Sequence, residues 1–443
     1  MIKASMNISI FGLGYVGAVS LACLARDGHR VIGVDVDPHK VDLIGRGKSP
    51  IIEEGIQELM ENVVASGRVT VTDDLVAALD ASEISFVCVG TPSAPNGNQN
   101  QGALLRVTKE FGEALKNKNG RHVFVFRSTV VPGTVEDLLA PLIEQGSGKR
   151  RDIDFDVCFQ PEFLREGSSI IDYDSPPFTI VGANTDHARN KLRTIFGHLA
   201  CPFHVTTVRS AEMVKYCCNN FHTVKITYAN EIARLCEVLK VNPFEVMDLV
   251  CQDRQLNISS AYLKPGFAFG GSCLPKDLRA TLYMAKQHDV NLPMLASLLR
   301  SNQVHIDRAF EKIMSMGARK VAMIGLAFKS GTDDLRESPL VTLAERLLGK
   351  GMDLAIYDGE VSLSRLLGAN KRYIDEHIPH IGGLLHPSLP EVVTHADVLV
   401  LGSRDPLVHA ELQTLLQPNH RLIDLAPLKD PSGLTCVYEG HCW

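Results

Sequence analysis

Two stretches of this chain run through the same order of strand types, and that repetition limits the fold more than any single motif. Near the start, "MNISIFGLGY", "HRVIGVD", "ASEISFVCVG" and "RHVFVFRST" are short apolar, β-branched runs with Gly, Pro or Asp at or soon after their ends. From Arg319 onward, "RKVAMIGLAF", "MDLAIYD", "HADVLVLG" and "HRLIDLAP" follow in the same sequence of types. The second run of each set closes on an acid, Asp35 and Asp358. Amphipathic segments such as "GAVSLACLARDG" separate several of the runs, and such alternation implies a parallel sheet covered by helices. "FDVCFQP" and "FTIVGA" extend the first set to about residue 205.

Between the two sets the character changes. "SAEMVKYCCNNFHTVKITYANEIARLCEVLK" holds helical periodicity with no turn signal, so one long helix is expected there, followed by shorter ones up to about Arg300. At 443 residues the chain is too long for one core. The predicted architecture is α/β: two Rossmann-like parallel-sheet domains (1–205 and 306–443) joined by a helical middle domain (206–305) with one long helix.

Composition narrows the function classes. A formal charge of −6 argues against nucleic acid or an anionic membrane as the main partner. No run of about 18 apolar residues predicts a transmembrane helix. The N-terminus enters a strand pattern without signal-peptide architecture, and eleven cysteines without a CxxC pair suit reduced thiols. A cytoplasmic protein is expected.

"FGLGYVG" places Gly12, Gly14 and Gly17 as G-x-G-x-x-G directly after a strand and before a helix. The glycines permit a tight turn, close approach of a pyrophosphate, and packing of helix on strand, while the helix N-terminus offers free N–H groups. Asp35 ends the next strand about 20 residues on, where ribose hydroxyls are held. No Arg follows it, so NAD is favoured over NADP.

Other motifs are weaker by themselves. "VCVGTPS" (Thr91) and "FRSTVVPGT" (Thr129) are strand-end loops where an open α/β sheet binds ligand, although Gly and Pro explain them as turns. In "FQPEFLREGSS", Glu162 and Glu166 stand four apart in what reads as a short helical turn; such pairs are common on solvated faces. Lys215, Asn219 and His222 share one face of the long helix, with Lys225 and Asn230 beyond, a donor-rich set suited to a polar cleft.

"FGGSCLPKDLRATLYMAK" sets Cys273 just ahead of a helix start marked by Pro275 and Asp277, beside Lys276 and after Gly270 and Gly271. A helix N-terminus and a cation both favour thiolate, which is the setting of a nucleophile. No second Cys or His stands at zinc-ligand spacing around it.

Taken in order, these motifs with "PEFLREG", "GFAFGGSCLPKD" and "GLAFKSGTDDLRESP" resemble the nucleotide-sugar 6-dehydrogenases from end to end. "VCQDRQLNIS", "SPLVTLAERLLGKG", "GANKRYIDEHIPH" and the terminal "CW" look closer to the GDP-mannose members than to the UDP-glucose members. The resemblance implies a four-electron oxidation of a sugar primary alcohol to a carboxylate with two NAD, through a Cys273 thiohemiacetal and thioester. For a GDP-mannose enzyme the product is GDP-mannuronate, an alginate-type polysaccharide precursor; the alternative is a UDP-sugar. Lys215 would stabilise the oxyanion, Asn219 and Asp277 would orient groups and water, and Glu162 would assist thioester hydrolysis; Thr129 joins this catalytic set. The family's cofactor positions fall on Tyr15, Val16, Asp35, Lys40, Thr91, Thr129 and Lys276, beside Gly12, Gly14 and Gly17. Its sugar-nucleotide positions fall on Glu166, Lys215, Asn219, His222, Asn230, Tyr262, Lys264, Phe267 and Lys329. Ala261 and Lys264 depart from the Tyr and Arg of bacterial GDP-mannose enzymes, and a lysine keeps charge but loses the bidentate fork. Asn257 replaces the arginine that UDP-glucose enzymes extend into a partner subunit. The family pattern also implies a homodimer or larger assembly, with the long helix as its core.

Overall fold

The computed structural model describes residues 5–92, 99–165, 167–259, 266–271, 274–327, 335–359, 361 and 379–442. Its contacts divide the chain into two compact units, Met1–Thr223 and Val224–Trp443.

The first unit is built on an eight-stranded sheet. Its strands are β1 (Asn7–Phe11), β2 (Arg30–Val34), β3 (Val69–Thr72), β4 (Ile84–Val87), β5 (His122–Phe126), β6 (Phe155–Phe159), β7 (Thr179–Ala183) and β8 (Phe203–Thr206). They lie in the order β3-β2-β1-β4-β5-β6-β7-β8. The order reverses direction between β1 and β4, which opens the crevice where such sheets bind ligands. Residues alternate across the sheet: Ile8, Ile10, Ile84, Phe86, Val123 and Val125 join one core, while Phe11, Val87, Phe124 and Phe126 join the other. Both faces are buried, so helices must cover both, and each buried Phe contributes roughly 1.5–3 kcal/mol. Ser9, buried on the same face as Phe11, bonds Ser82 and Ser85 at 2.9 and 2.7 Å.

The expected all-parallel sheet fails at one seam: β6 and β7 pair antiparallel, and β8 follows β7 in parallel. The connection between β6 and β7 carries only the six-residue helix Ser169–Asp174. Parallel strands are usually joined by a crossover helix, and this short helix does not provide one.

The second unit holds a five-stranded, all-parallel sheet. Its strands are β9 (Lys320–Ile324), β10 (Asp353–Tyr357), β11 (Val398–Leu401), β12 (Arg421–Asp424) and β13 (Val437–Gly440), in the order β10-β9-β11-β12-β13. The internal repetition holds in detail. Gly12 N bonds Val34 O at 2.8 Å and Gly325 N bonds Tyr357 O at 2.7 Å, both glycines with positive φ. Asp35 accepts from Leu13 N and Asp358 from Leu326 N, both at 2.7 Å. The fifth strand, β13, lies beyond the four that the repeat predicts.

The long helix runs Val208–Leu239, close to the span its periodicity suggests, and the boundary between the units falls within it. The helices Pro243–Gln252, Leu274–Gln287 and Pro293–Ser315 follow. Glu231, wholly buried, accepts from Met294 N and Leu295 N at 2.8 and 3.0 Å and so caps the last of these. No helix among the described residues is long and apolar enough to cross a membrane.

Candidate active site

The glycine loop after β1 is shaped by its neighbours. Gly12 has φ +91°, and a Cβ there would come within 2.9 Å of Cys88 O; one on Gly17 would come within 1.8 Å of Gly12 O. Gly14 is different, since a Cβ there would meet nothing within 4 Å. Its requirement is therefore not packing. An open backbone face at the N-cap of the helix Tyr15–Arg26 is what a pyrophosphate needs, because the first-turn N–H groups have no intrahelical partners.

Asp35 sits just beyond β2, 8% exposed. Oδ2 accepts from Leu13 N (2.7 Å) and Lys40 Nζ (3.1 Å), and Oδ1 accepts from Asp37 N (2.9 Å). Burial opposes its ionisation, but the Asp37 and Leu13 amides and Lys40 outweigh that and hold the carboxyl below its usual range. A fixed anion beside the glycine loop suits ribose hydroxyls and repels a 2′-phosphate, so the residues present fit NAD. Lys40, expected at the cofactor, reaches Asp35 itself. Tyr15 donates through its hydroxyl to Glu53 and to Arg165 O (3.1 Å). Glu53 in turn accepts from Gly167 N and Ser169 N at 2.8 and 3.0 Å, tying the cofactor helix to the Glu162 loop. The motif reading missed Glu53, since nothing in its sequence neighbourhood marks it.

The strand-end loops converge. Thr91 Oγ1 and Gln99 Nε2 both donate to Thr129 O, at 2.9 and 3.1 Å, joining the loops after β4 and β5. The Glu162 segment is not the helical turn expected: residues 161–165 carry no regular structure, because Glu162 turns back to accept from Leu164 N at 2.8 Å. That turn aims the loop at Lys215. Lys215 Nζ donates to Glu162 O at 2.6 Å and to Glu162 Oε1 at 2.9 Å, with both side chains about nine-tenths buried, and lies 5.4 Å from the Phe163 ring centroid. A cation and a carboxylate in one largely buried position can support a developing oxyanion and take a proton from water.

One turn before Lys215, Glu212 is wholly buried and accepts from Gly133 N (2.5 Å) and Val135 N (3.0 Å). Burial pushes its carboxyl up against the opposing effect of those two amides. It fastens the helix that carries Lys215 to the loop that carries Thr129. The signal was present, an acid three residues before the lysine on a helical face, but a buried acid looks like any other in sequence. Asn219 and His222 stand exposed further along the helix, in line with Lys215 by spacing.

Within the second unit, Asn230, Lys276 and Asp277 are exposed, and Lys276 Nζ lies 3.4 Å from Asp277 Oδ1 in the first turn of the helix Leu274–Gln287. Phe267 is half-buried between the His305 and His441 rings, with centroids at 6.2 and 5.8 Å. Asn302 clamps the loop that leads to Cys273, accepting from Phe269 N (2.9 Å) and donating to Phe269 O (2.8 Å). Gly270, expected to admit a ligand, admits the chain instead: a Cβ there would sit 2.3 Å from Glu337 O. Glu337 has φ +51° and forms a bidentate pair with Arg279 (2.9 and 2.5 Å). Cys273, Glu166, Ala261, Tyr262, Lys264 and Lys329 lie outside the described residues.

Comparison with known proteins agrees with this arrangement along the whole chain. Three models of the UDP-glucose/GDP-mannose dehydrogenase family match: its NAD binding domain at residues 6–200, its central domain at 209–304 and its UDP binding domain at 322–428. The chain is 50% identical over 438 residues to the GDP-mannose 6-dehydrogenase of Pseudomonas aeruginosa, covering 99% of this chain and 100% of that one. It is 38% identical over 361 residues to a UDP-glucose 6-dehydrogenase of Haloferax volcanii, covering 80% and 83%. A crystal structure of a ternary complex of GDP-mannose dehydrogenase from P. aeruginosa superposes with a TM-score of 0.95 at 49% identity, covering 99% of this chain and 100% of that one. With its glycine loop, Asp35 and the Lys215–Glu162 pair arranged as described, the chain belongs to the UDP-glucose/GDP-mannose dehydrogenase family, and its cofactor is NAD.

Proposed function

We propose that this chain oxidises the primary alcohol of GDP-mannose to the carboxylate of GDP-mannuronate, consuming two NAD per sugar. The observation that carries the substrate is the full-length 50% identity to a GDP-mannose enzyme, against 38% over four-fifths of the chain to a UDP-glucose enzyme. A precursor for an alginate-type polysaccharide is the corresponding product.

NAD, when bound, supplies the hydride acceptor for both oxidations, held by the Gly12–Gly17 loop, Asp35 and the Thr91–Thr129 strand ends. The chain's own residues divide the remaining work. Cys273 as thiolate adds to the aldehyde carbon, forming a C–S bond and turning a poor hydride donor into a tetrahedral one. Lys215 stabilises the negative oxygen in each tetrahedral state. Glu162 takes a proton from the water that cleaves the resulting thioester, releasing carboxylate and restoring the thiol. Asn219 and Asp277 orient the reacting groups, and His222, Asn230 and Phe267 contact the sugar nucleotide together with Glu166, Tyr262, Lys264 and Lys329. In this reading residues 1–205 serve the cofactor, 206–305 the thiol and subunit contact, and 306–443 the nucleotide sugar.

The protein acts as a dimer or larger assembly. Phe221, Val224, Tyr228 and Val238 are exposed on the long helix, apolar surface that a second copy would cover. Free thiols at the ten described cysteines suit a reducing compartment, the cytoplasm. NADH formation with GDP-mannose, UDP-glucose and UDP-N-acetylmannosamine tests the substrate. GDP-mannose should give the highest kcat/KM, and a higher value with either UDP-sugar would overturn the assignment.

A further inference from the structure

On one edge of the second unit, three side chains of metal-ligating type converge that no step of the oxidation uses. His305, on the helix Pro293–Ser315, and His441 and Cys442, directly after β13, place one donor atom each within 4.8 Å of one another. The two imidazoles meet edge to face with centroids 4.3 Å apart. His305 Nε2 lies 2.8 Å from Gly266 O, so the carbonyl fixes the ring with Nε2 as donor and leaves Nδ1 as the nitrogen with a lone pair. A carbonyl behind a ligating histidine is the arrangement that orients imidazoles at metal centres.

The backbone around the cluster is held as well. Lys312 Nζ donates to Gly440 O (2.7 Å) and His441 O (3.3 Å), while Glu439, 2.8 Å away, balances its charge. His441 is 2% exposed, which fixes its place, whereas Cys442 is exposed.

We infer that His305, His441 and Cys442 form a zinc-class divalent metal site that clasps the segment after β13 to the helix Pro293–Ser315. Two imidazoles and a thiolate are a borderline-soft donor set, which selects zinc over magnesium or calcium and leaves a fourth, water-filled position in a tetrahedral site. Ligand atoms around tetrahedral zinc stand about 3.3–3.6 Å apart, given Zn–N of about 2.0–2.1 Å and Zn–S of about 2.3 Å. Binding would draw the three donors together from their present spacing of up to 4.8 Å, with the exposed Cys442 as the ligand able to adjust. The carbonyl behind His305 belongs to Gly266, and Phe267 packs on both rings, so the metal would stiffen the loop Gly266–Gly271 that leads to Cys273.

The test uses the full-length chain, stripped of metal and then titrated with Zn2+ or Co2+ alone. Wild type should bind one ion per chain at this site, and the cobalt form should show a thiolate-to-metal charge-transfer band. Cys442→Ser changes an exposed residue and should remove that band and weaken Zn2+ binding by an order of magnitude or more. His305→Gln should weaken binding while leaving the band in the residual complex. Failure of wild type to bind, or a band and an affinity unchanged by Cys442→Ser, would show that the three side chains hold no metal.

Discussion

Glu212→Gln tests whether a buried carboxylate positions the Lys215 helix. The carboxylate accepts from Gly133 N and Val135 N and has no exposure to water. Glutamine keeps the shape but offers one oxygen, so one amide is left facing an NH2 group. Losing a hydrogen bond to a charged acceptor costs about 1.5–3 kcal/mol. Relief of a desolvated charge offsets part of that, since burial already pushes this carboxyl up. A net loss of about 2 kcal/mol at neutral pH is expected, lowering Tm by about 4–8 °C for a unit of this size. The pH dependence has a defined sign. A carboxyl raised in the folded state contributes stability that is fully present below its unfolded pKa and is lost as pH rises through the folded value. The wild-type advantage over Glu212→Gln should therefore widen as pH falls from 7 toward about 4.5. Thermal unfolding of both proteins across that range measures it, with kcat followed in parallel because Thr129 and Lys215 lose their common anchor. Equal Tm values at neutral pH, or an advantage that narrows on acidification, would refute the role.

Other consequences are more direct. Asp35→Asn removes the anion beside the glycine loop, so KM for NAD should rise about tenfold or more while use of NADP improves; unchanged cofactor preference would separate Asp35 from the ribose. Lys215→Met should lower kcat by about 10²–10³ with NAD binding preserved, read by initial rates and cofactor titration. Asp156, 1% exposed, is opposed by burial but held below the usual carboxylate range by Arg121 (2.5 and 2.7 Å), Thr185 and His187. Its contribution is present above the unfolded pKa and lost as pH falls through the depressed folded value. Asp156→Asn should thus cost about 1.5–3 kcal/mol at pH 7 and flatten the acid limb of a stability profile. In sedimentation, wild type should run as a dimer or larger species, and a fully active monomer would contradict the proposed subunit contact.

The sheets, the long helix and the glycine loop were legible in the sequence because each has a period or a steric signature. Gly12 and Asp35 are local to one βαβ unit, so their spacing carries their geometry. The reversal at β7 was not legible, since a five-residue apolar strand reads alike in either direction and the short helix before it leaves no mark. The Glu162 turn was misread for a related reason: a carboxylate folding back on its own chain has the same spacing as a helical pair. Glu212 was missed because its partners are backbone amides far along the chain, and so are two of the three partners of Glu53, beside the Tyr15 hydroxyl. The amides of Gly133 and Gly167 have no side chain to announce a contact. Gly270 was legible as a close approach, but not what approaches.

Complete oxidation of a limiting amount of GDP-mannose with excess NAD tests the central claim most directly. The NADH formed is counted by absorbance. A thiol-dependent second oxidation predicts about two NADH per sugar and a carboxylate product. One NADH per sugar, with the aldehyde as final product, would contradict it.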